Sequence, residues 1–258
     1  VGGAVVIGRL LHAAVVLLCL AATLLLLAGL GIDVRMQGRV RPGPTLVVAN
    51  HVSWIDLLVL AACAPTRPVA KREVCGWPVV GAVARRSGAL FVDRDSWRSL
   101  PASVTEMTTA LRRGHRVQVF PEATTRCGSS LAPFRRAAFQ AALDAAVPVS
   151  PVTLQYRDTS GRPTAAAAFT GEMTMWESVL RVVRLPGVVV EVHWLPCVPA
   201  IPGTGHPATD RRMLARFVQD AVAADLGQGV VHPPGRPAPV LPFGPVVPAP
   251  VGLLRAAG

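Results

Sequence analysis

The sequence predicts an α/β domain, a layered mixed and largely parallel sheet flanked by helices, with an N-terminal membrane helix ahead of it. Three observations predict it. From Gly38 to about Leu226, short runs rich in β-branched residues alternate with helical patterns. From Ala13 to Ile32 no charged residue occurs and Leu and Val dominate, over a length about sufficient to cross a hydrocarbon core. Finally, a polar cluster, Asn50-His51-Val52-Ser53-Trp54-Ile55-Asp56, directly follows a strand pattern, where sites in open α/β sheets commonly lie.

Taken in order, residues 1–32 read as the membrane anchor, 33–227 as the catalytic domain and 228–258 as a tail. The apolar segment is flanked by Arg9 on one side and by Arg35, Arg39 and Arg41 on the other. The positive-inside rule then places the catalytic block on the cytoplasmic side of the cell membrane. A cleaved signal peptide competes with this reading, but the apolar core exceeds the usual h-region and no clear small-x-small site follows. Strands are expected at Thr45–Ala49, Arg67–Lys71, Ala89–Val92, Arg116–Phe120, Val149–Gln155 and Val188–Trp194. Helices are expected at Ser53–Ala62, Pro101–Arg113, Phe134–Ala145, Trp176–Arg184 and Asp210–Leu226. Arg157 to Pro163 reads as a surface hairpin without chemistry. Trp176, Val179, Leu180 and Val183 share a helical face beside Arg181 and Arg184, which fits a membrane-facing helix and an ordinary core helix alike. Past Gly227 the proline-rich tail is expected to be disordered or extended.

The polar cluster carries the chemistry. Residues five apart on one regular helix are rotated by about 140° and cannot share a face. His51 must therefore lie in the turn and Asp56 in the first helical turn, so that the chain folds the imidazole back toward the carboxylate. Ser53 with Asp56 three residues on fits a capping box. A histidine held by an aspartate can take a proton from a hydroxyl, because the carboxylate fixes the tautomer and stabilises the imidazolium. Asp56 as a cap alone, beside an ordinary strand-end His51, is the other reading of the same spacing.

Three further blocks follow in order: Gly88-Ala89-Leu90-Phe91-Val92-Asp93-Arg94, preceded by Lys71, Trp77-Pro78 and Gly81; Val119-Phe120-Pro121-Glu122-Ala123-Thr124-Thr125, followed by Phe134-Arg135 and Phe139; and Val147-Pro148-Val149-Ser150-Pro151-Val152. With Asn-His-x-x-x-x-Asp, these four blocks resemble the glycerolipid acyltransferases, typified by 1-acyl-glycerol-3-phosphate O-acyltransferase, over roughly positions 45 to 155. Two departures stand out. Ala123 replaces the family's usual glycine, and Arg135-Arg136-Ala137 replaces its common Lys-x-Gly. The loop at Ala123 then needs a negative φ or must tolerate strain.

The resemblance implies transfer of a fatty acyl group from acyl-coenzyme A or acyl carrier protein to a lysophospholipid hydroxyl, with His51 as base and Asp56 orienting it. It assigns Arg94 to the acceptor phosphate and Glu122 to acceptor binding. Lys71 is a second candidate for the phosphate, and Thr124 and Thr125 can add hydroxyls or backbone donors. Arg126 and Arg135 are candidates for coenzyme A phosphates or headgroups. Ser53 reads as a cap in preference to a nucleophile. The acceptor is expected to be 1-acyl-glycerol 3-phosphate, and lyso-ornithine lipid is the nearest rival, since bacterial ornithine-lipid acyltransferases share the four blocks. Some members of the resembled family lay their N-terminal helices into one leaflet, so spanning and monotopic insertion both stay open. A His–Asp pair can also activate water, as in a lysophospholipase or thioesterase, and a catalytically silent protein that binds anionic lipid is a third possibility.

Composition narrows the classes. A hydrophobic fraction of 51 % with a net charge of +11 points to a membrane surface, where apolar segments insert and arginines meet anionic headgroups. Nucleic acid would also suit the charge, but the arginines are scattered and aromatic residues few, so no stacking platform is visible. The five cysteines, at 19, 63, 75, 127 and 197, are dispersed and odd in number, against a disulfide framework or a zinc site. No metal cluster, P-loop or dinucleotide glycine pattern occurs, so no cofactor is expected beyond the acyl donor as co-substrate. His115, His193, His206 and His232 have no carboxylate at a telling sequence distance and read as structural or exposed.

Overall fold

The computed structural model describes residues 18–76, 84–85, 87–92 and 97–228. A seven-stranded sheet forms its middle layer, with strand order β1-β7-β6-β2-β5-β3-β4. The strands are β1 (Ile32–Gly38), β2 (Leu46–Ala49), β3 (Arg67–Lys71), β4 (Leu90–Val92), β5 (Val117–Val119), β6 (Val149–Arg157) and β7 (Val188–Trp194). Every pairing is parallel except β6 with β7. The expected largely parallel sheet flanked by helices is thus present.

The helices are α1 (18–29 of the described residues), α2 (Ile55–Cys63), α3 (Leu100–Arg112), α4 (Ala137–Ala145), α5 (Met175–Val183) and α6 (Pro207–Asp225). Period-two alternation sends the two faces of the sheet to two cores. Leu46 and Val48 join Val117, Val119 and Val149 under Met107, Leu111, Phe139, Val218 and Val222 of α3, α4 and α6. Val47 and Ala49 join Leu154, Tyr156, Val190 and Val192 under Leu27 of α1, Ile55 and Val59 of α2, and Val182 of α5. All four β2 residues are buried, as a central strand covered on both sides requires. Each such Leu or Val contributes roughly 1.5–3 kcal/mol by leaving water.

Parallel pairing brings the carboxyl ends of β2, β5, β3 and β4 to one edge of the sheet, in that order. The residues after β2, the Glu122 loop after β5, Lys71 closing β3 and Val92 closing β4 therefore all lie at this edge.

Several expectations need correction. Ile32 does not close a long apolar helix. The described helix ends at residue 29, and Ile32 opens β1, an edge strand that pairs with β7. The β-branched Ile32 and Val34 lie among polar neighbours, so the strand pattern was hidden behind the apolar run before it. Residues 13–17 lie outside the described residues, and no helix among the described ones is long and apolar enough to cross a membrane. The proline-rich tail, 229–258, also lies outside them. The capping box was expected at Ser53 and Asp56, yet the α2 N-cap is Trp54 and no side chain caps it. A complete capping box occurs instead at Thr174 and Glu177, opening α5. Ala123 has φ +61°, so the loop tolerates the strained conformation that glycine would adopt freely.

Candidate active site

The site is built where β2 ends and α2 begins. The chain turns at His51 to Trp54, and Asp56 enters on the first turn of α2, fully buried. Nδ1 of His51 lies 2.8 Å from Oδ2 of Asp56. The same oxygen accepts from the backbone N–H of Val52 (2.7 Å) and Ser53 (3.0 Å). Amides at a helix start carry partial positive charge, so a carboxylate oxygen is a well-matched acceptor at this point. With Nδ1 turned to Asp56, the imidazole presents Nε2 away from the carboxylate. This is the geometry of an oriented general base.

Four further residues hold the pair and its turn. Tyr156, on β6, donates its hydroxyl to Oδ1 of Asp56, the oxygen left free by the histidine. Burial, and then the Asp56 charge, push the phenol well above its usual range, so it stays a donor. Phe120 stacks flat against the His51 ring, with centroids 3.9 Å apart and planes inclined by 9°. Asn50 locks β2 to β6 through both amide atoms, donating to the Leu154 carbonyl at 3.0 Å and accepting its N–H at 2.8 Å. Trp54 donates its indole N–H to Ser178 of α5 at 3.1 Å.

Glu122 is buried, and both of its oxygens are engaged. Oε1 accepts the His51 backbone N–H at 2.9 Å, and Oε2 accepts that of Ala132, also at 2.9 Å. Burial raises its carboxyl above the ordinary range, against the lowering effect of those two N–H bonds, the His51 charge and the Arg126 charge. Among the described residues its guanidinium partner is Arg126, with Nε at 3.7 Å. Arg126 also donates its backbone N–H to the His51 carbonyl at 2.8 Å, so the loop grips His51 from both sides of its peptide.

Thr124 is exposed near this loop, and Thr125 is tied to the Phe169 carbonyl through its hydroxyl. Lys71 is exposed at the carboxyl end of β3. Arg94, with Asp93, lies outside the described residues, as do Trp77, Pro78 and Gly81. Val92, two residues before Arg94 in sequence, is in register with Lys71. Ser53 is buried beneath the turn, and its hydroxyl accepts the Ile55 N–H at 3.4 Å. Of the other histidines, His193 pairs with Asp225 at 3.0 Å. Sequence distance hid that partner, which ties the end of α6 to β7.

Two depressions, of about 200 Å³ beside Arg41, Pro148 and Cys197 and about 290 Å³ beside Arg35, Arg157 and Glu191, include neither His51 nor Asp56 nor Glu122. Convergent side-chain geometry marks the site among the described residues. Of the residues holding it, Tyr156, Phe120 and Asn50 were not anticipated as such. A usable signal existed for Tyr156, the single tyrosine of the chain, because it continues the apolar face of β6 with a hydroxyl that burial obliges to find a partner.

Comparison with known proteins agrees with this geometry. A family model described as Acyltransferase matches residues 31–155. A 1-acyl-sn-glycerol-3-phosphate acyltransferase of Neisseria gonorrhoeae is 32 % identical over 195 residues, covering 76 % of this chain and 74 % of that protein. A lyso-ornithine lipid O-acyltransferase of Pseudomonas aeruginosa is 39 % identical over 197 residues, covering 76 % and 73 %. The crystal structure of the 1-acyl-sn-glycerophosphate acyltransferase PlsC of Thermotoga maritima superposes with a TM-score of 0.63 at 22 % identity, covering 83 % of this chain and 78 % of that one, and so shares the fold. With its dyad set at the carboxyl edge of a parallel sheet and relatives of this identity over most of its length, this chain belongs to the glycerolipid acyltransferase family.

Proposed function

We propose that this protein transfers a fatty acyl group from acyl-coenzyme A or acyl carrier protein to the free hydroxyl of 1-acyl-sn-glycerol 3-phosphate, forming phosphatidic acid. The observation that carries the reading is the His51–Asp56 pair, held at 2.8 Å through Nδ1, which leaves Nε2 pointing away from the carboxylate. Nε2 removes the hydroxyl proton as the oxygen attacks the thioester carbonyl. The tetrahedral intermediate collapses with cleavage of the carbon–sulfur bond, and the imidazolium returns the proton to the thiolate. Asp56 stabilises the cationic ring throughout. A thioester is already activated, so neither a covalent acyl-enzyme nor a cofactor beyond the acyl donor is required.

The acceptor phosphate is assigned to Arg94, with Lys71, in register with Val92, as the second candidate. A guanidinium fork matches phosphate oxygens in a way a single ammonium does not. Glu122 serves the acceptor indirectly, by shaping the loop that presents Thr124 and by holding His51 in place. The enzyme acts at the cytoplasmic face of the cell membrane, with the apolar segment from Ala13 inserted in the bilayer and its arginines meeting anionic lipid.

A second acceptor is favoured by a specific observation. The 39 % identity to the Pseudomonas aeruginosa protein exceeds the 32 % identity to the Neisseria gonorrhoeae one, over similar coverage. Lyso-ornithine lipid would use the same base with a different headgroup site.

The test uses membranes containing the wild-type protein or His51→Ala, incubated with labelled acyl donor and either lysophosphatidic acid or lyso-ornithine lipid. His51-dependent label in phosphatidic acid is the expected result. Label only in ornithine lipid replaces the acceptor. Label released only as free fatty acid makes the protein a hydrolase, and no His51-dependent product in any of these overturns the reading.

A further inference from the structure

We propose that α5 is a second membrane-docking face that lies flat among anionic lipid headgroups and is coupled to the catalytic turn through Trp54 and Ser178. Polarity on this helix is reversed relative to one that faces water. Its hydroxyl residue Ser178 is fully buried together with Val182, whereas Trp176 is 68 % exposed and Val183 is 58 % exposed. Positions seven apart lie on one stripe, and between them Val179 and Leu180 are half-buried. An outward tryptophan–valine stripe has no covering element among the described residues.

Charge chemistry specifies the occupant. Arg181 and Arg184 are exposed on the flank of the stripe, and neither has a carboxylate partner among the described residues. Glu177, the acidic residue of this helix, is occupied in the capping box with Thr174. An apolar stripe with tryptophan at one end and free guanidinium groups alongside suits the boundary between acyl chains and anionic headgroups. At nine residues the helix spans only about 13.5 Å, too short to cross a bilayer, so it lies in the interface plane.

The stripe is also rooted in the same core as the N-terminal helix. Val182 of α5 and Leu27 of α1 belong to one buried cluster, while Leu18, Leu24, Leu25 and Leu26 of α1 are exposed. Docking of α5 then acts on the site through the hydrogen bond from Trp54, which lies between His51 and Asp56, to Ser178. A lipid acceptor would meet the base without leaving the interface. In that last respect the inference rests on the proposed lipid acceptor, whereas the placement of α5 does not.

The full-length protein is bound to vesicles of phosphatidylcholine and phosphatidylglycerol carrying brominated acyl chains, and tryptophan fluorescence is compared with that of Trp176→Phe. The difference isolates Trp176 among the five tryptophans. We expect that component to be quenched by shallow bromine and shielded from aqueous iodide, with the quenching lost in Arg181→Glu/Arg184→Glu. Quenching of Trp176 by iodide and not by brominated lipid on vesicle-bound protein overturns the proposal, as does a failure to bind these vesicles. Shielding from both quenchers with a dimer in sedimentation assigns the face to a second copy and also overturns it. Acyl transfer to lysophosphatidic acid in detergent micelles, measured on the same samples, reports the proposed reaction separately. Trp176→Glu/Val183→Glu should lose activity several-fold on vesicle-presented acceptor while keeping it in micelles.

Discussion

Tyr156 and Asp56, 100 residues apart in sequence, share a hydrogen bond beneath the His51 imidazole. The phenol satisfies Oδ1 while His51, Val52 and Ser53 share Oδ2, so every face of the buried carboxylate has a donor. A charge taken out of water persists only with such partners. Tyr156→Phe keeps the ring in its apolar surroundings and removes one donor from the ion. The expected outcome in steady-state kinetics is a fall in kcat of about 10-fold, ~1.4 kcal/mol of barrier, with little change in KM. An equal rise in KM at unchanged kcat would assign Tyr156 to acceptor binding instead.

Asp56→Asn tests the base more severely. The amide would turn its NH2 group either toward the Val52 and Ser53 N–H groups and the imidazole or toward the Tyr156 hydroxyl, and it cannot stabilise an imidazolium by charge. General-base assistance is worth about 100-fold or more, so transfer should fall by at least that factor in Asp56→Asn and His51→Ala. Vesicle binding should remain in both, measured by co-sedimentation.

Glu122→Gln separates loop anchoring from direct acceptor binding. Both carboxylate oxygens accept backbone N–H groups, and an amide offers only one acceptor and adds a donor that faces one of them. The buried mismatch should cost about 1–3 kcal/mol, read as a lowered unfolding midpoint, and should lower kcat by displacing His51. A variant as stable as the wild type with only a raised acceptor KM would place Glu122 on the substrate.

Arg94→Ala addresses the phosphate. The KM for lysophosphatidic acid should rise about 10-fold or more, because a charge-assisted fork is worth roughly 1.5–3 kcal/mol, while the KM for the acyl donor stays near its starting value. A change confined to the donor would move the guanidinium to the other substrate.

Two cysteines differ enough for a labelling experiment. Cys127 is exposed beside the Glu122 loop, and its hydrogen bonds with Ser129, aided by the Arg126 charge, lower its thiol below the usual value. Cys63 is partly buried, which pushes its thiol up to about 11. The thiolate is the reactive form, so near pH 8 iodoacetamide should modify Cys127 at least about 10-fold faster than Cys63. Peptide mass mapping over time checks this.

How far the sequence reached depends on chain separation. The limits of β3 and β7 were legible, because an apolar run bounded by turn residues needs no distant partner to declare itself. His51 and Asp56 were legible for a related reason: five residues across a strand-to-helix turn leave few ways to place an imidazole and a carboxylate. β1 was not, since it is half-exposed and takes its register from β7, more than 150 residues later. Nor could spacing distinguish a core helix from an outward stripe at Trp176, which the burial of Ser178 decides.

By itself, then, the sequence determined the alternation of elements, the His51–Asp56 pair and the family it points to, all carried by neighbours along the chain. Only the tertiary structure decided what surrounds that pair: Tyr156 under Asp56, Phe120 against the ring and Glu122 on the His51 amide. Those partners arrive on β6 and β5, which flank β2 in the sheet, and hydrogen bonding between strands sets such neighbours whatever their distance along the chain.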